Sequence, residues 1–590
     1  MYILGVSCWY HDAASALLRN GEVVAASEEE RFTRIKHDYE FPINSINFCL
    51  EKAGIQPQDI DYIVFYDKPF IKFERILTSI INHIPRSLAV FREAVPIWLK
   101  EKLHFHNKIK KLLRIKPNKV LFCNHHLSHA ASAFYLSPFE ESTIITIDGV
   151  GEWATATIGF GKENKINILY EMHFPHSIGL LYSTFTAFLG FRVNNGEYKV
   201  MGMAPYGKPK YVDKIKKIVT INNDGSIELN LDYFSFPYST KKAFTDKFIQ
   251  IFGEPRKLES FFFTKDSDFP AYYGDKPRDF EKSAIENQYY ADIAASIQKV
   301  LEEIIVKLAN YAYSITGCKN ICYAGGVALN SKANYYLQKD TPFEEIFIQP
   351  AATDAGGALG AALWCWHEVL GNKNKKIMES AYLGKSFSQN EIKKAILKSG
   401  LKYRELNEDR LINITVENLI NNKVVGWYQG RTEWGPRALG NRSILANSTN
   451  KEMKNIVNIK VKLREPFRPF APSVLSEDIF SYFEVNKEIY PQRFMLVTYP
   501  VKKEYKDKIE AVIHVDGTSR IQSVYSDHNP LYYNLIKKFK ENTGIGCILN
   551  TSFNLKGEPI VNSPWDAINT FMKSGIDILI LGNFLVEKNG

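Results

Sequence analysis

The sequence predicts an α/β fold built as two domains, the first of them internally duplicated. Three observations carry that expectation. The chain has 590 residues, more than one hydrophobic core organises. A strand, a polar turn and a hairpin follow one another twice in its N-terminal third. Composition then turns polar and basic from Gly371 to Lys376 (Gly-Asn-Lys-Asn-Lys-Lys), which marks a linker over residues 371–380 between a domain at 1–370 and a second at 381–590.

In the first copy, Ile3 to Ser7 reads as a strand, and Ala14 to Leu18 with Glu22 to Ser27 as a hairpin, because Asn20-Gly21 joins two alternating apolar runs. In the second, Thr143 to Ile147 is the strand, Asp148 to Glu152 the turn, and Ala154 to Phe160 with Lys165 to Glu171 the hairpin. Such a duplication leaves a cleft between its halves, the layout of the actin-like and sugar-kinase-like (ASKHA) ATPase folds, here by analogy of pattern. A helical stretch around Ile285 to Ile315 precedes two strand-loop-helix units. Ile321 to Tyr323 leads into Gly325-Gly326-Val327-Ala328-Leu329-Asn330, and Ile346 to Ile348 into Asp354-Ala355-Gly356-Gly357-Ala358. Glycines between a strand and a helix N-terminus let backbone amides approach phosphate oxygens or an adenosine. Two in tandem favour a nucleotide over tight turning alone, with Gly325, Gly326, Asn330, Gly356 and Gly357 as its contacts. The second domain again mixes strands (Val424 to Tyr428, Ile548 to Thr551, Ile578 to Leu581) with helices (Leu411 to Asn421, Lys451 to Val461).

Apolar residues make up 45% and charged residues 24%, an ordinary globular balance that excludes a disordered chain. No basic leader and no apolar run of membrane-spanning length is present, so a cytosolic protein is expected. Cys8, Cys49, Cys123, Cys318, Cys322, Cys365 and Cys547 lack paired metal-type spacing and read as reduced, buried thiols. The net charge of +9 favours anionic small molecules or nucleic acid. Part of it is the run Lys100 to Lys119, through Lys108, Lys110, Lys111 and Arg114, read as a solvated helix face in preference to an RNA contact.

The chemistry-bearing residues fall into two groups. His125 and His129, in His-His-Leu-Ser-His-Ala-Ala, stand four apart on a helix and can reach one ion. A bare pair of this kind is more often a satisfied pair, but Asp148 and Asp354 sit at strand ends where a cleft fold places ligands. Together they suit iron, zinc or manganese with positions left for a substrate oxygen. His11, in the first cleft-facing turn, is a general-base candidate or a turn residue beside Asp12. Lys36 is an anion contact or part of a solvated strand end. In the second domain Arg431, Arg437 and Arg442 lie on a Gly/Pro-rich loop where they are not expected to bury themselves, and guanidinium forks match phosphate and carboxylate. Lys460, Arg464 and Arg468 share a face if their helix continues, though Pro466 argues that it ends first. Arg520 and the Asn550-Thr551-Ser552-Phe553-Asn554 segment add further polar groups at strand ends.

The stretches His11 to Ala16, Glu29 to Phe32, His125 to His129, Gly196 to Gly207, Gly430 to Ser443, Arg464 to Pro472 and Asn550 to Asn554 resemble the O-carbamoyltransferases of nodulation-factor, cephamycin and tobramycin biosynthesis, from end to end. The resemblance implies an N-terminal ATPase-like domain, similar to the threonylcarbamoyl-transferring subunit of tRNA modification, joined to a C-terminal YrdC-like domain. It implies that the second domain converts carbamoyl phosphate and ATP, with Mg2+, to carbamoyl adenylate, and that the first holds the adenylate at a metal, usually iron, while an acceptor hydroxyl attacks. By the same resemblance His125, His129, Asp148 and Asp354 are the ligands, His11 the base and Lys36 a substrate contact. Arg431, Lys460, Arg464, Arg468, Arg520, Asn550 and Ser552 line the activating site. Pro491-Gln492-Arg493-Phe494-Met495 departs from the family's Ser-Pro-Phe-Met and puts the shape of that pocket wall in question. The acceptor is a hydroxyl-bearing small molecule whose pocket is expected around Asn222 to Lys282. Two rivals remain: a threonylcarbamoyl-type tRNA modifier, disfavoured by the lack of an aromatic-basic RNA motif, and a non-catalytic actin-like regulator, which needs no metal cluster.

Overall fold

The computed structural model describes residues 1–100, 104–113, 120–267, 269 and 274–588. The chain forms two compact units. One comprises Met1–Glu29, Tyr39–Thr264 and Glu281–Met378; the other comprises Glu30–Asp38, Lys265–Phe280 and Glu379–Gly590.

The first unit contains the duplication. Strands β1 (Tyr2–Ser7), β2 (Ala14–Arg19), β3 (Glu22–Glu28), β4 (Tyr62–Phe65) and β5 (Val120–Phe122) form a sheet in the order β3-β2-β1-β4-β5. Strands β6 (Glu141–Ile147), β7 (Ala154–Lys162) and β8 (Lys165–His173) join β11 (Asn320–Ala324) and β12 (Glu345–Ile348) in the order β8-β7-β6-β11-β12. Both sheets run antiparallel through the hairpin and parallel beyond it, so the same topology occurs twice. The first hairpin turns where expected, with Asn20 at φ 51° and Gly21 at φ 84°, the pair of positive values a tight two-residue turn demands. A small ribbon, β9 (Val219–Ile221) with β10 (Ile227–Leu229), lies in the middle stretch, of which residues 268 and 270–273 are outside the described residues.

The helices His125–Phe134 and Asp354–Trp364 lie against one another so closely that a Cβ at Gly360 would stand 1.7 Å from the Ser128 carbonyl oxygen. The segment after Asp354–Trp364 is fastened to the same unit by Met378, whose N–H donates to the Leu136 carbonyl at 2.9 Å. The basic helix Phe105–Leu113 buries Phe105 and Ile109 and exposes Lys110 and Lys111, as anticipated, whereas Lys108 is half-buried with its Nζ 5.0 Å from the Trp9 ring; Arg114 and Lys119 lie outside the described residues.

The second unit is a mixed sheet of eight strands, β13 (Lys402–Glu405), β14 (Val425–Tyr428), β15 (Arg442–Ala446), β16 (Ala471–Leu475), β19 (Gln522–Val524), β20 (Cys547–Ser552), β21 (Ile578–Leu581) and β22 (Phe584–Glu587), in the order β13-β22-β21-β14-β15-β20-β16-β19. Helices Glu408–Ile420 and Pro530–Thr543 supply Leu411, Val416, Leu535 and Phe539 to a core with Trp427, Leu445 and Ile548. A separate ribbon, β17 (Thr498–Pro500) with β18 (Thr518–Arg520), carries Arg520. All seven cysteines are buried and unpaired. Among the described residues no helix is long and apolar enough to cross a membrane.

Candidate functional site

The first unit brings the expected ligands together. Helical spacing stacks His125 and His129 on one face, with their Nε2 atoms 3.2 Å apart. Glu152 accepts from the His125 backbone N–H with both oxygens at 3.1 Å, anchoring the helix start where a negative charge is favoured. Asp148, in the turn after β6, accepts from the Gly149 N–H through Oδ1 and turns Oδ2 to His125 Nε2 at 3.2 Å and His129 Nε2 at 3.1 Å. Asp354 opens the helix Asp354–Trp364. Its Oδ2 accepts from the Tyr66 hydroxyl at 3.0 Å, while Oδ1, fully buried, makes no hydrogen bond among the described residues and lies 3.8 Å from both imidazoles. One donor atom from each of the four residues falls within 4.8 Å of the others.

This set fits a divalent ion. A buried carboxylate oxygen is left without a donor, and two Nε2 atoms face each other, an arrangement that a shared cation between them explains. His126 supplies the contrast: its Nδ1 bonds Thr146 Oγ1 at 2.6 Å and its Nε2 the Ala154 carbonyl at 2.9 Å, so both nitrogens serve the framework. Burial opposes charge on Asp148, yet hydrogen bonds from His125 and His129 hold its carboxyl well below the usual range. His11, half-buried, lies 3.2 Å from Asp12. Burial disfavours its charged form, but Asp354 and the Asp12 hydrogen bond outweigh that and raise it to about 10, so beside these carboxylates alone it carries a proton.

The glycines divide. Gly325, at φ 93°, would place a Cβ 2.2 Å from the Ile147 carbonyl, and a Cβ at Gly326 would stand 3.1 Å from Asp148 Oδ1, so this turn flanks the cluster. Gly356 and Gly357 are instead inside the helix and buried, where a Cβ would meet the Ala351 carbonyl at 2.2 Å and Tyr66 at 2.9 Å. Their missing side chains serve packing. Asn330 caps the helix Ser331–Lys339 and exchanges two hydrogen bonds with Gln298.

The second unit gathers cations. Arg520 is buried enough, and close enough to Arg437, Arg464 and Arg468, that its guanidinium is driven well below its ordinary range. Its Nε has no hydrogen-bond partner among the described residues. Arg464 donates to Asn458 Oδ1 at 2.7 Å and lies 4.7 Å over Phe470, and Arg468 is 3.5 Å from Glu465. Lys460, by contrast, is exposed, and only its backbone is engaged, accepting from the Gly575 N–H at 2.9 Å. The helix Met453–Ile456 ends in a widened π turn, Val457–Val461, which breaks the expected four-residue register. Lys462 is the buried lysine. Its Nζ donates to the Ser552 and Asn554 carbonyls at 2.6 and 2.8 Å and to Asn554 Oδ1 at 2.6 Å, and burial, then Arg464 and Arg468, drive it well below the ordinary lysine range. Sequence reasoning missed it because the π turn leaves no mark in composition. Asn550 donates to Ser473 Oγ and Gln522 Oε1 and keeps its buried Oδ1 without a donor; Ser552 Oγ donates to Asn554 Oδ1 at 2.8 Å.

One expectation about the loop arginines is corrected. Arg442 opens β15 and is fully buried, donating to the carbonyls of Gln429, Gly430, Lys385 and Asn441 and lying 3.6 Å over the Tyr428 ring, so an arginine expected on the loop does bury itself where backbone oxygens surround it. Arg431 donates to the carbonyls of Leu383 and Gly384, which fixes the chain entering the unit. Lys36 lies in the segment Glu30–Asp38 of the second unit, 3.2 Å from Glu30. In that segment Arg31 Nη2 donates to the Gly435 carbonyl at 2.7 Å, and Arg34 to the carbonyls of Pro559 and Ile560. Arg493 pairs with Glu379 and stacks over Tyr490 and Tyr525.

Comparison with known proteins places these sites in context. The family pattern described as carbamoyltransferase N-terminus matches residues 2–363, and carbamoyltransferase C-terminus matches residues 416–588. An uncharacterised protein of Synechocystis is 43% identical over 100% of this chain and 97% of its own length. Nodulation protein NolNO of Sinorhizobium fredii is 36% identical over 98% of this chain and 79% of its own. Among solved structures, HypF of T. kodakarensis aligns with 63% of this chain and 48% of its own at 15% identity, with a TM-score of 0.31. With both patterns matched in order across most of its length, the chain belongs to the carbamoyltransferase family.

Proposed function

We propose that this protein is an ATP-dependent O-carbamoyltransferase acting in the cytosol. Its second unit takes carbamoyl phosphate and ATP: hydrolysis of the mixed anhydride gives carbamate and phosphate, carbamate oxygen attacks the α-phosphorus of ATP, and pyrophosphate leaves. The first unit passes the carbamoyl group from the adenylate to a hydroxyl of a small-molecule acceptor and releases AMP. The observation that carries the reading is Arg520, surrounded by Arg437, Arg464 and Arg468 with no carboxylate among the influences on it. Cations concentrated in this way, with Lys462 beside Ser552, offset the repulsion between two anionic substrates brought into contact.

In the first unit, His125, His129, Asp148 and Asp354 would hold a divalent ion, iron by family resemblance, which would act as a Lewis acid on the carbamoyl carbonyl. Tyr66 keeps Asp354 oriented through its hydroxyl. With a divalent ion offsetting the charge of Asp354 and Asp148, His11 would lose the proton those carboxylates hold on it and would take the acceptor's proton at an imidazole nitrogen, with Asp12 fixing the ring. The test is to incubate the protein with ATP, carbamoyl phosphate and a panel of alcohols. Pyrophosphate release and products heavier by one carbamoyl group support the reading; alcohols returned unchanged with no pyrophosphate released refute it.

A further inference from the structure

A charged side chain outside both clusters lacks a counterpart. Arg75, on the helix Pro69–Asn82 of the first unit, is only 7% exposed and has no hydrogen-bond or ion-pair partner among the described residues. Its Nε is enclosed, and the guanidinium carbon lies 5.0 Å from the Phe174 ring centre. Lys72, three residues earlier on the same helix face, shows how a cation is satisfied here: its Nζ is 2.7 Å from Asp67 and 5.3 and 5.7 Å from the Tyr10 and Tyr66 rings. Tyr66 in turn donates to Asp354. Arg75 therefore belongs to a wall that begins at the four-residue cluster.

The acids that influence Arg75 are already engaged. Asp67 is taken by Lys72, and Glu152 by the backbone N–H groups of Lys68 and His125. Burial accordingly lowers the guanidinium to about 10, and Tyr10, Glu152 and Asp67 counter this only in part. A buried charge without a hydrogen-bonded partner is costly to maintain. Around it, the Phe174 ring and the 42% exposed Tyr10 offer faces to a carbon skeleton, whereas the glycine turn suited to a nucleotide, Gly325-Gly326, flanks Asp148 at the end of β11.

We propose that Arg75 is the specificity contact for an anionic group, carboxylate or phosphate, borne by the acceptor alcohol, so that the alcohol carbamoylated by this protein is an acid. The proposal rests on the first unit being the transfer site. It also moves acceptor recognition from the stretch Asn222 to Lys282 to the helix after β4.

The test compares matched pairs: glucuronate with its methyl ester, and sn-glycerol 3-phosphate with glycerol. Binding to the full-length parent, Arg75→Gln and Arg75→Lys is measured by calorimetry, and transfer by mass spectrometry with the donor supplied. For at least one pair the parent is expected to favour the acid by about 10- to 100-fold, the worth of a charge-assisted hydrogen bond. Arg75→Gln should bring that ratio close to one, and Arg75→Lys should retain part of it. Anions held by the arginines of the second unit bind parent and variants alike and cancel in the comparison. If the parent prefers neither acid, or if Arg75→Gln keeps the parent's ratio, the proposal is overturned. A variant that transfers more slowly to acid and ester alike, at an unchanged ratio, would assign Arg75 to the donor's phosphate instead. Calorimetry needs no turnover, so a missing carbamoyl product would count against the enzymatic reading and leave the binding ratio to decide this one.

Discussion

The two units hold charge in opposite ways. In the first, two imidazoles and two carboxylates point their donor atoms at one small volume, and a carboxylate oxygen is left unsatisfied. In the second, Arg437, Arg464 and Arg468 press on Arg520, and Arg464 and Arg468 on Lys462. Each arrangement is unfavourable by itself and becomes favourable with a ligand of the missing sign. The difference teaches that one chain can build a surplus of positive charge in one place and a mixed imidazole–carboxylate cluster in another by segregating side-chain charge, with no exotic residue in either place.

Four experiments would break or sharpen that contrast. His129→Ala is expected to lose bound metal and acyl transfer together; stoichiometric metal in the purified variant, read by elemental analysis, would dissolve the first half of the comparison. His11→Asn keeps a hydrogen-bonding edge but takes up no proton, so it should fold and still release pyrophosphate while transfer falls by roughly two to four orders of magnitude. Transfer within a few-fold of the parent would return His11 to a turn residue. Arg520→Gln should slow pyrophosphate release by about 10- to 100-fold, the scale of a lost charge-assisted contact, and chemically supplied carbamoyl adenylate should restore product. If the supplied adenylate fails to rescue it, the two clusters act as one site. Lys460→Ala should change pyrophosphate release less than about two-fold, as exposed substitutions do, whereas Lys462→Met should abolish most of it. Equal losses at the two positions would reverse the assignment of Lys462.

The contrast also marks how far the sequence could be read. The duplicated topology and the clustering of His125, His129, Asp148 and Asp354 were legible because they obey local rules: period-two strands, an Asn-Gly turn, histidines four apart, aspartates at strand ends. Lys462 was not, because a π turn shifts the register after Val457 and the polar oxygens that enclose the ammonium come from residues 552–554. Arg442 was misjudged for a similar reason, since the carbonyl of Lys385 that helps to bury it is 57 positions away. Gly356-Gly357 before a helix body looks the same in sequence whether it admits a phosphate or close-packed neighbours, and only the distances from Gly356 to Ala351 and from Gly357 to Tyr66 and Ser128 show the packing.

The contact between Gly360 and the Ser128 carbonyl has one more consequence. His125 and His129 ride on one of the helices that meet there, and Asp354 on the other, so the gauge of the cradle is set by backbone touching backbone and not by pliable side chains. A rigid gauge discriminates by ionic radius. Under the proposed metal reading it would suit ions that accept ligands at about 2.0–2.2 Å and penalise calcium, which asks for about 2.3–2.6 Å and more oxygen donors than these four side chains offer. A single methyl group at position 360 would force the helices apart and, under that reading, loosen the discrimination without touching any of the four side chains.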